Sequence, residues 1–448
     1  MDAIITEIAE FAAALAFDDL PQAVVHEAKR HLVDSLGCAI GGAGCAAAAM
    51  GRRIAQDAVP AARSGRIVGL DQPATVEHAA FINTAMTRYL DFNDTVYGGH
   101  PSDALGGVLA LAEAAGADGR RLLTSMVVAY EVATRLIAAT RLRERGWDQG
   151  FAIGIAAASA VGNLLRLGAD AIAQAVAITA VANVPLRATR AGELSLWKGA
   201  ATAFAGRNGV FAALLAAEGM TGPAAAFTGR HGVFEQVTGE FALKPFAAEF
   251  LTPAVGLKYW PVENSAQAGV WAALKLRAMV PLDTIETIDI ATSWAAWHEI
   301  GSEPAKWDPR TRETADHSLP YIFARALVDG GITVASFDQA AYLDPALRPL
   351  MAKIRVHQDA TIDKLYPASV VMRVNAAAGG RVHAVEIAEP RGYCQNPMDD
   401  AEIAAKFRTL AVPALGPQRA EDALALLWSV EREGDTSRLF FSLLAAPR

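Results

Sequence analysis

The sequence predicts a mostly α protein, with a large all-α domain built from both chain ends and a smaller α+β domain between them. Three observations carry this. Ala-, Leu- and Val-rich stretches at helical spacing fill residues 4–219. Period-two, β-branched alternation first appears after residue 285, which is the mark of half-buried strands. Helical patterning then returns at 400–430. A chain of 448 residues is long enough for two domains, and the changes of character place them at 1–256, with 395–448 returning to it, and at 257–394.

In chain order, 4–17 and 21–42 read as helices, with Pro21 opening the second and Gly41-Gly42 ending it. His26 and His31 are five apart, share no helix face and read as structural. Residues 63–70 form a strand-like connector, and 77–89 a helix. Residues 88–103 then crowd Asp91, Asn93, Asp94, Thr95, His100, Ser102 and Asp103 together, while Gly98-Gly99 and Pro101 prevent a regular helix. Such a loop can hold acid–base chemistry; Ser102 or Asp103 can equally cap the helix that follows.

Two helices fill 105–141, divided at 116–119. Segments 151–167 and 169–184 are apolar nearly all round, so other helices must cover them on every side. Between Pro185 and Lys198, three cations (Arg187, Arg190 and Lys198) surround a Gly-containing loop in a region otherwise poor in charge. Together they suit an anion. Helix 200–219 follows. Strands are expected at 285–292, 353–358, 369–376 and 382–388, the last two joined by a hairpin at 378–380. Helices 264–277, 318–328 and 338–342 lie among them, and 400–410 and 417–430 close the chain. Residues 311–321 form a third polar cluster, in which Asp316 or Ser318 can cap a helix and Pro320 fits its first turn. His317 and Tyr321 would then sit beside a cleft between domains.

With 52% hydrophobic residues, 20% charged residues and a net charge of −8, the composition favours a large core and argues against nucleic-acid binding. The longest uncharged runs are too weakly apolar for a membrane span. Three cysteines in no metal or redox spacing, and an N-terminus unlike a signal peptide, lead to the expectation of a cytoplasmic protein.

Several stretches together resemble the MmgE/PrpD family. They are Leu-Asp-Phe-Asn-Asp-Thr at 90–95 with Gly-His-Pro-Ser-Asp at 99–103, the Trp-Lys-Gly-Ala-Ala-Thr run at 197–213, Glu-Gly-Met-Thr-Gly-Pro at 218–223, Thr-Arg-Glu-Thr-Ala-Asp-His-Ser-Leu-Pro-Tyr at 311–321, and Asn-Pro-Met-Asp-Asp at 396–400. The family holds 2-methylcitrate dehydratases, cis-aconitate decarboxylases and iminodisuccinate epimerases. The resemblance implies that the α+β domain is a lid over a site in the cleft, in a homodimer that needs no metal or organic cofactor. It puts site positions on Asp91, Thr95, His100, Lys198, Lys258 and Tyr321. Arg187 and Arg190 match a Leu-Arg-x-x-Arg stretch of the dehydratases, and Asn93 leans the same way. The chain departs at 146–150, where decarboxylase and epimerase branches carry Gly-x-His-Pro-Thr, and at Ser265, where relatives often have His.

These readings lead to a hydro-lyase acting on a 2-methylcitrate-like polycarboxylate, with decarboxylation or epimerisation as alternatives. Cations that neutralise a substrate carboxylate ease removal of the neighbouring proton, a role for Arg187, Arg190, Lys198 and Lys258; Thr95 and Arg312 complete the expected substrate-binding set. His100 is the expected base, oriented by Asp91 or Asp103, and Tyr321 or His317 the expected acid. Two rivals remain: a metal hydratase using Asp91, Asp94 and His100, and a helical binding protein whose cations scatter over the surface.

Overall fold

The computed structural model describes residues 1–56, 64–96 and 98–444. Arg63 of the expected connector, Tyr97 of the polar loop and 445–448 of the C-terminal return lie outside the described residues. Helix makes up 59% of the protein and strand 8%, so the fold is mostly α.

The apolar helices pack as their composition requires. Gly150–Leu164 is buried at every position, enclosed by Gly119–Thr140, Ala169–Ala182 and Ala201–Ala217. Gly119–Thr140 is long and apolar enough to cross a membrane, but 83% of its most apolar window is buried inside the protein. The C-terminal helices Asp400–Leu415 and Pro417–Trp428 return to pack on Gln22–Gly41, burying Phe407, Leu424 and Leu427. Buried apolar side chains gather in two main clusters, one spanning 4–257 with 398–443 and the other 262–387.

Six strands are present among the described residues: β1 (Asp94–Thr95), β2 (Gly256–Leu257), β3 (Ile285–Thr292), β4 (Ile354–Gln358), β5 (Met372–Ala378) and β6 (Arg381–Ile387). The last four form one sheet in the order β4-β3-β5-β6. β3 runs parallel to β4 and antiparallel to β5, and helices Ala266–Met279 and Leu319–Asp329 pack over the sheet's apolar side chains. The β5–β6 turn is Gly379-Gly380, with φ of 58° and 73°. This left-handed pair lets a two-residue turn follow the strand twist.

The smallest sheet matters most to the site. β1 pairs antiparallel with β2, Asp94 opposite Leu257 and Thr95 opposite Gly256, which fastens the polar loop beside Lys258. The other edge of β2 is closed by a turn, where the Leu257 amide donates to the Gly392 carbonyl at 2.8 Å. Gly392 has φ 104°, and a Cβ there would lie 2.0 Å from the Leu257 oxygen, so only glycine fits.

Capping divides the two polar loops. Ser318 does cap its helix, its Oγ accepting the Tyr321 amide at 3.1 Å. The expected cap by Ser102 or Asp103 is absent, because the turn Pro101–Ala104 leads directly into Leu105–Leu111 without a side-chain cap. Both polar groups are used inside the loop instead.

Candidate active site

Asp91 is the hub. It follows helix Val76–Tyr89 and has φ 49°, a left-handed conformation that Asp tolerates better than most residues. Its buried carboxylate meets three cations. Arg88 pairs with Oδ1, Lys258 Nζ donates to the same oxygen at 2.6 Å, and Lys198 Nζ donates to Oδ2 at 3.2 Å. Burial opposes ionisation here, but the charges of Arg88, Lys198, Lys258 and His317 outweigh it and hold this carboxyl well below the usual range. Lys198 reaches on to Asp316 at 2.7 and 2.9 Å, linking the helical part of the chain to the α+β part.

Two histidines flank this cluster. His100 Nδ1 lies 2.6 Å from the backbone oxygen of Asp94. A carbonyl only accepts, so Nδ1 carries the hydrogen and Nε2 keeps its lone pair. Burial, followed by the charges of Arg88 and Lys258, holds the His100 pKa well below its ordinary value, so the ring is neutral. The loop itself sets its position. Ser102 Oγ and the Ser102 amide donate to the two carboxyl oxygens of Asp94 at 2.6 and 3.0 Å, and Asn93 donates to Ser102 Oγ and Asp103 Oδ1 at 2.8 and 3.1 Å. The His100 amide donates to Gln149 at 2.9 Å. His317 is oriented by a side chain, with Nδ1 2.7 Å from Asp316 Oδ1. Burial and Lys198 bring its pKa down to about 4.

These groups border a recess of about 20 Å³ between the two parts of the chain. Its lining includes Asp91, His100, Arg187, Arg190, Lys258 and His317 of the expected set. Lys198 stands one layer behind. Past Gly98, Arg143, Gln149 and Arg187 the recess meets an outer cavity of about 570 Å³. Arg187 crosses the cleft to Glu299, and Arg190 Nε donates to Asp148 at 2.7 Å. Lys198 and Lys258 are 2% and 1% exposed, so the picture of cations scattered over a surface does not describe this protein.

Three expected residues stand elsewhere. Tyr321 is in the core of the α+β part, where its hydroxyl donates to the Ser336 carbonyl and its ring packs edge-on to Phe337. The first-turn position of helix Leu319–Asp329 turns it inward. Arg312 lies over the Tyr89 ring, 4.3 Å from its centroid, and donates to the Tyr89 carbonyl at 3.0 Å, tying the two loops together. Thr95 is buried beside β2, its hydroxyl unpartnered among the described residues.

The metal triad Asp91, Asp94 and His100 does not converge, since the Asp94 carboxyl is used by Ser102. Asp91, Asp316 and His317 do lie close enough to share an ion, but the ammonium groups of Lys198 and Lys258 already hold these carboxylates.

Sequence reasoning left out Arg88, Arg143, Gln149, Glu263 and Glu299, all of which line the recess, and treated Asp316 as a cap. Arg88 carried a signal, being the only Lys or Arg in helix Val76–Tyr89. Gln149 lies in the stretch 146–150 where the chain departs from related branches, and Arg143, Glu263 and Glu299 carried no signal, because their charges are separated along the chain.

Two family models account for nearly all of the chain: the MmgE/PrpD N-terminal domain matches residues 6–245 and the MmgE/PrpD C-terminal domain residues 260–431. The chain belongs to the MmgE/PrpD family. Among relatives in this family, a 2-methylcitrate dehydratase of Cupriavidus necator is 28% identical over 89% of this chain and 88% of its own length. A cis-aconitate decarboxylase-like protein of Aspergillus oryzae is 26% identical over 97% of this chain and 96% of its own. A cis-aconitate decarboxylase of Aspergillus terreus is 25% identical over 99% and 96%.

Proposed function

We propose that this protein is a hydro-lyase that removes water from a hydroxy polycarboxylate of the 2-methylcitrate type. One observation carries the reading: a neutral histidine with a free Nε2 opens onto a buried recess bordered by five cations, Arg88, Arg143, Arg187, Arg190 and Lys258, against three carboxyls, Asp91, Glu263 and Glu299. The surplus of positive charge suits a substrate that brings its own carboxylates, and the cations stabilise the charge that builds up as the adjacent C–H proton leaves. Arg187 and Arg190 can each grip a carboxylate through two hydrogen bonds, whereas Lys258 acts as a point charge.

His100 is the proposed base. Its Nδ1–H is committed to the Asp94 carbonyl, so an incoming proton must go to Nε2. The recess holds about 20 Å³, room for about one water, so a polycarboxylate enters only when the cleft widens. Arg187 gives this step a physical basis, since a substrate carboxylate can replace Glu299 as its partner. The names of the relatives from C. necator and A. oryzae support a lyase reading and leave decarboxylation as the second candidate, which would use the same cations to hold the carboxylates that remain.

The test is absorbance at the ultraviolet edge, where an alkene conjugated to a carboxylate appears, with purified protein and 2-methylcitrate, then citrate. His100→Ala is expected to lower the rate by ~10²–10⁴-fold while circular dichroism stays unchanged. Wild-type turnover by the folded variant would remove His100 from the mechanism. Release of CO₂ from cis-aconitate without dehydration of either hydroxy acid would move the assignment to the decarboxylase.

A further inference from the structure

Dehydration needs an acid as well as a base, and the groups already named do not supply one. His317 Nδ1–H is held by Asp316, and with a pKa near 4 the ring has no proton on Nε2 at neutral pH. The Tyr321 hydroxyl is bound to Ser336 in a different core. Lys198 donates to Asp91 and Asp316, and Lys258 donates to the backbone oxygen and a carboxyl oxygen of Asp91, so both serve as counter-ions to these carboxylates.

We propose that Glu263 is the general acid of this site, passing its carboxyl proton to the departing hydroxyl. This rests on the hydro-lyase reading. Glu263 is 6% exposed and borders the same recess as His100. Its position is fixed from behind: Oε2 accepts the amides of Ser265 and Ala266 at 2.6 and 3.3 Å, and the Glu263 amide donates to the Asp316 carbonyl at 3.0 Å. Oε1 makes no hydrogen bond with the described residues, so it is the oxygen free to carry a proton. The charged and titratable groups around it are Glu299, Lys258, Arg143 and Asp91, with Tyr393 and His317. Burial and the Glu299 carboxylate outweigh Lys258 and Arg143 and raise the Glu263 pKa to about 7. At neutral pH the carboxyl holds its proton about half the time, the poise a catalytic acid needs.

The step balances. His100 Nε2 takes the proton beside the substrate carboxylate, and the C–H electron pair becomes the second bond of the alkene. The C–O bond breaks with its pair on oxygen, and the Glu263 proton turns that oxygen into water. Each turnover leaves His100 protonated and Glu263 ionised, and exchange with water in the outer cavity restores both. The acid form exists below the pKa, so kcat/KM falls as pH rises through about 7. The negative charge of bound substrate raises this pKa, moving the same limb of kcat to higher pH.

The experiment compares pH profiles of kcat and KM for the wild type, E263Q and E263D, with infrared difference spectra of each protein between pH 6 and pH 8. E263Q is expected to lose ~10²–10⁴-fold in kcat with little change in KM, and to lose the alkaline limb. E263D should keep the limb and recover part of kcat. The carboxylic-acid carbonyl band of the wild type at pH 6 should be reduced in E263Q. Near-wild-type kcat in E263Q with the limb intact, or an unchanged band, would overturn the assignment. If the wild type turns over no hydroxy acid, the hydro-lyase reading fails, and the infrared band still reports whether Glu263 holds the proton.

Discussion

Two of the places where charges are buried, around Asp91 and at Asp34 with Lys406, behave differently. At the second, Lys406 on helix Asp400–Leu415 pairs with Asp34 on helix Gln22–Gly41. It also donates to the carbonyls of Phe92 and Lys258 at 2.6 and 2.8 Å, and lies 3.9 Å from the centroid of the Phe92 ring. One cation meets one carboxylate, and neither borders the recess. Around Asp91 the cations are in excess and the cluster faces a cavity. Burial of charge is therefore common to a brace and a site. Surplus charge with an opening marks the site.

Removing Asp91 should break the contrast most strongly. Asp91→Ala leaves Arg88 and Lys258 without their nearest carboxylate and Lys198 with Asp316 alone, and should cost about 5 kcal/mol, the upper end of what breaking a buried ion pair costs. Urea denaturation measures it, and a variant as stable as the wild type would show that Asp91 is not their counter-ion.

Lys406→Met should cost less, about 3 kcal/mol. Burial already raises the Asp34 pKa, so the abandoned carboxylate can take up a proton. The double variant with Asp34→Asn should regain part of the stability in the same denaturation experiment. Further destabilisation in the double variant would end the description of this pair as a brace.

The smallest effect sharpens the boundary of the site. Tyr321→Phe should cost about 1–2 kcal/mol through the unpaired Ser336 carbonyl, visible as a lower melting temperature, and leave kcat unchanged. A large fall in kcat would return Tyr321 to the chemistry.

Much of the fold could be read from the sequence because its signals are local. The all-round apolar run at 151–167 required a helix covered on every side, and Gly150–Leu164 is one. The alternation at 285–292 gave β3 residue for residue. The polar density at 88–103 pointed to His100 and Asp91, and both border the recess. Tyr321 was misplaced because a residue just inside a helix start can face a cleft or a core, and only packing against Phe337 distinguishes them. Glu263 and Glu299 were missed because single carboxyls in ordinary contexts give no local signal.

The sequence by itself determined the long apolar helices, the strands β3 to β6 and where short polar side chains crowd, since these follow from periodicity and from glycine and proline, which act over a few residues; the two-residue strands β1 and β2 carry no such period. Tertiary structure alone decided which charges meet. Asp91, Lys198, Lys258 and Asp316 come from four separate stretches, joined by a two-residue sheet and by a C-terminal helix that returns to brace the site. Charges separated along the chain shift one another's ionisation only when folding removes the water between them.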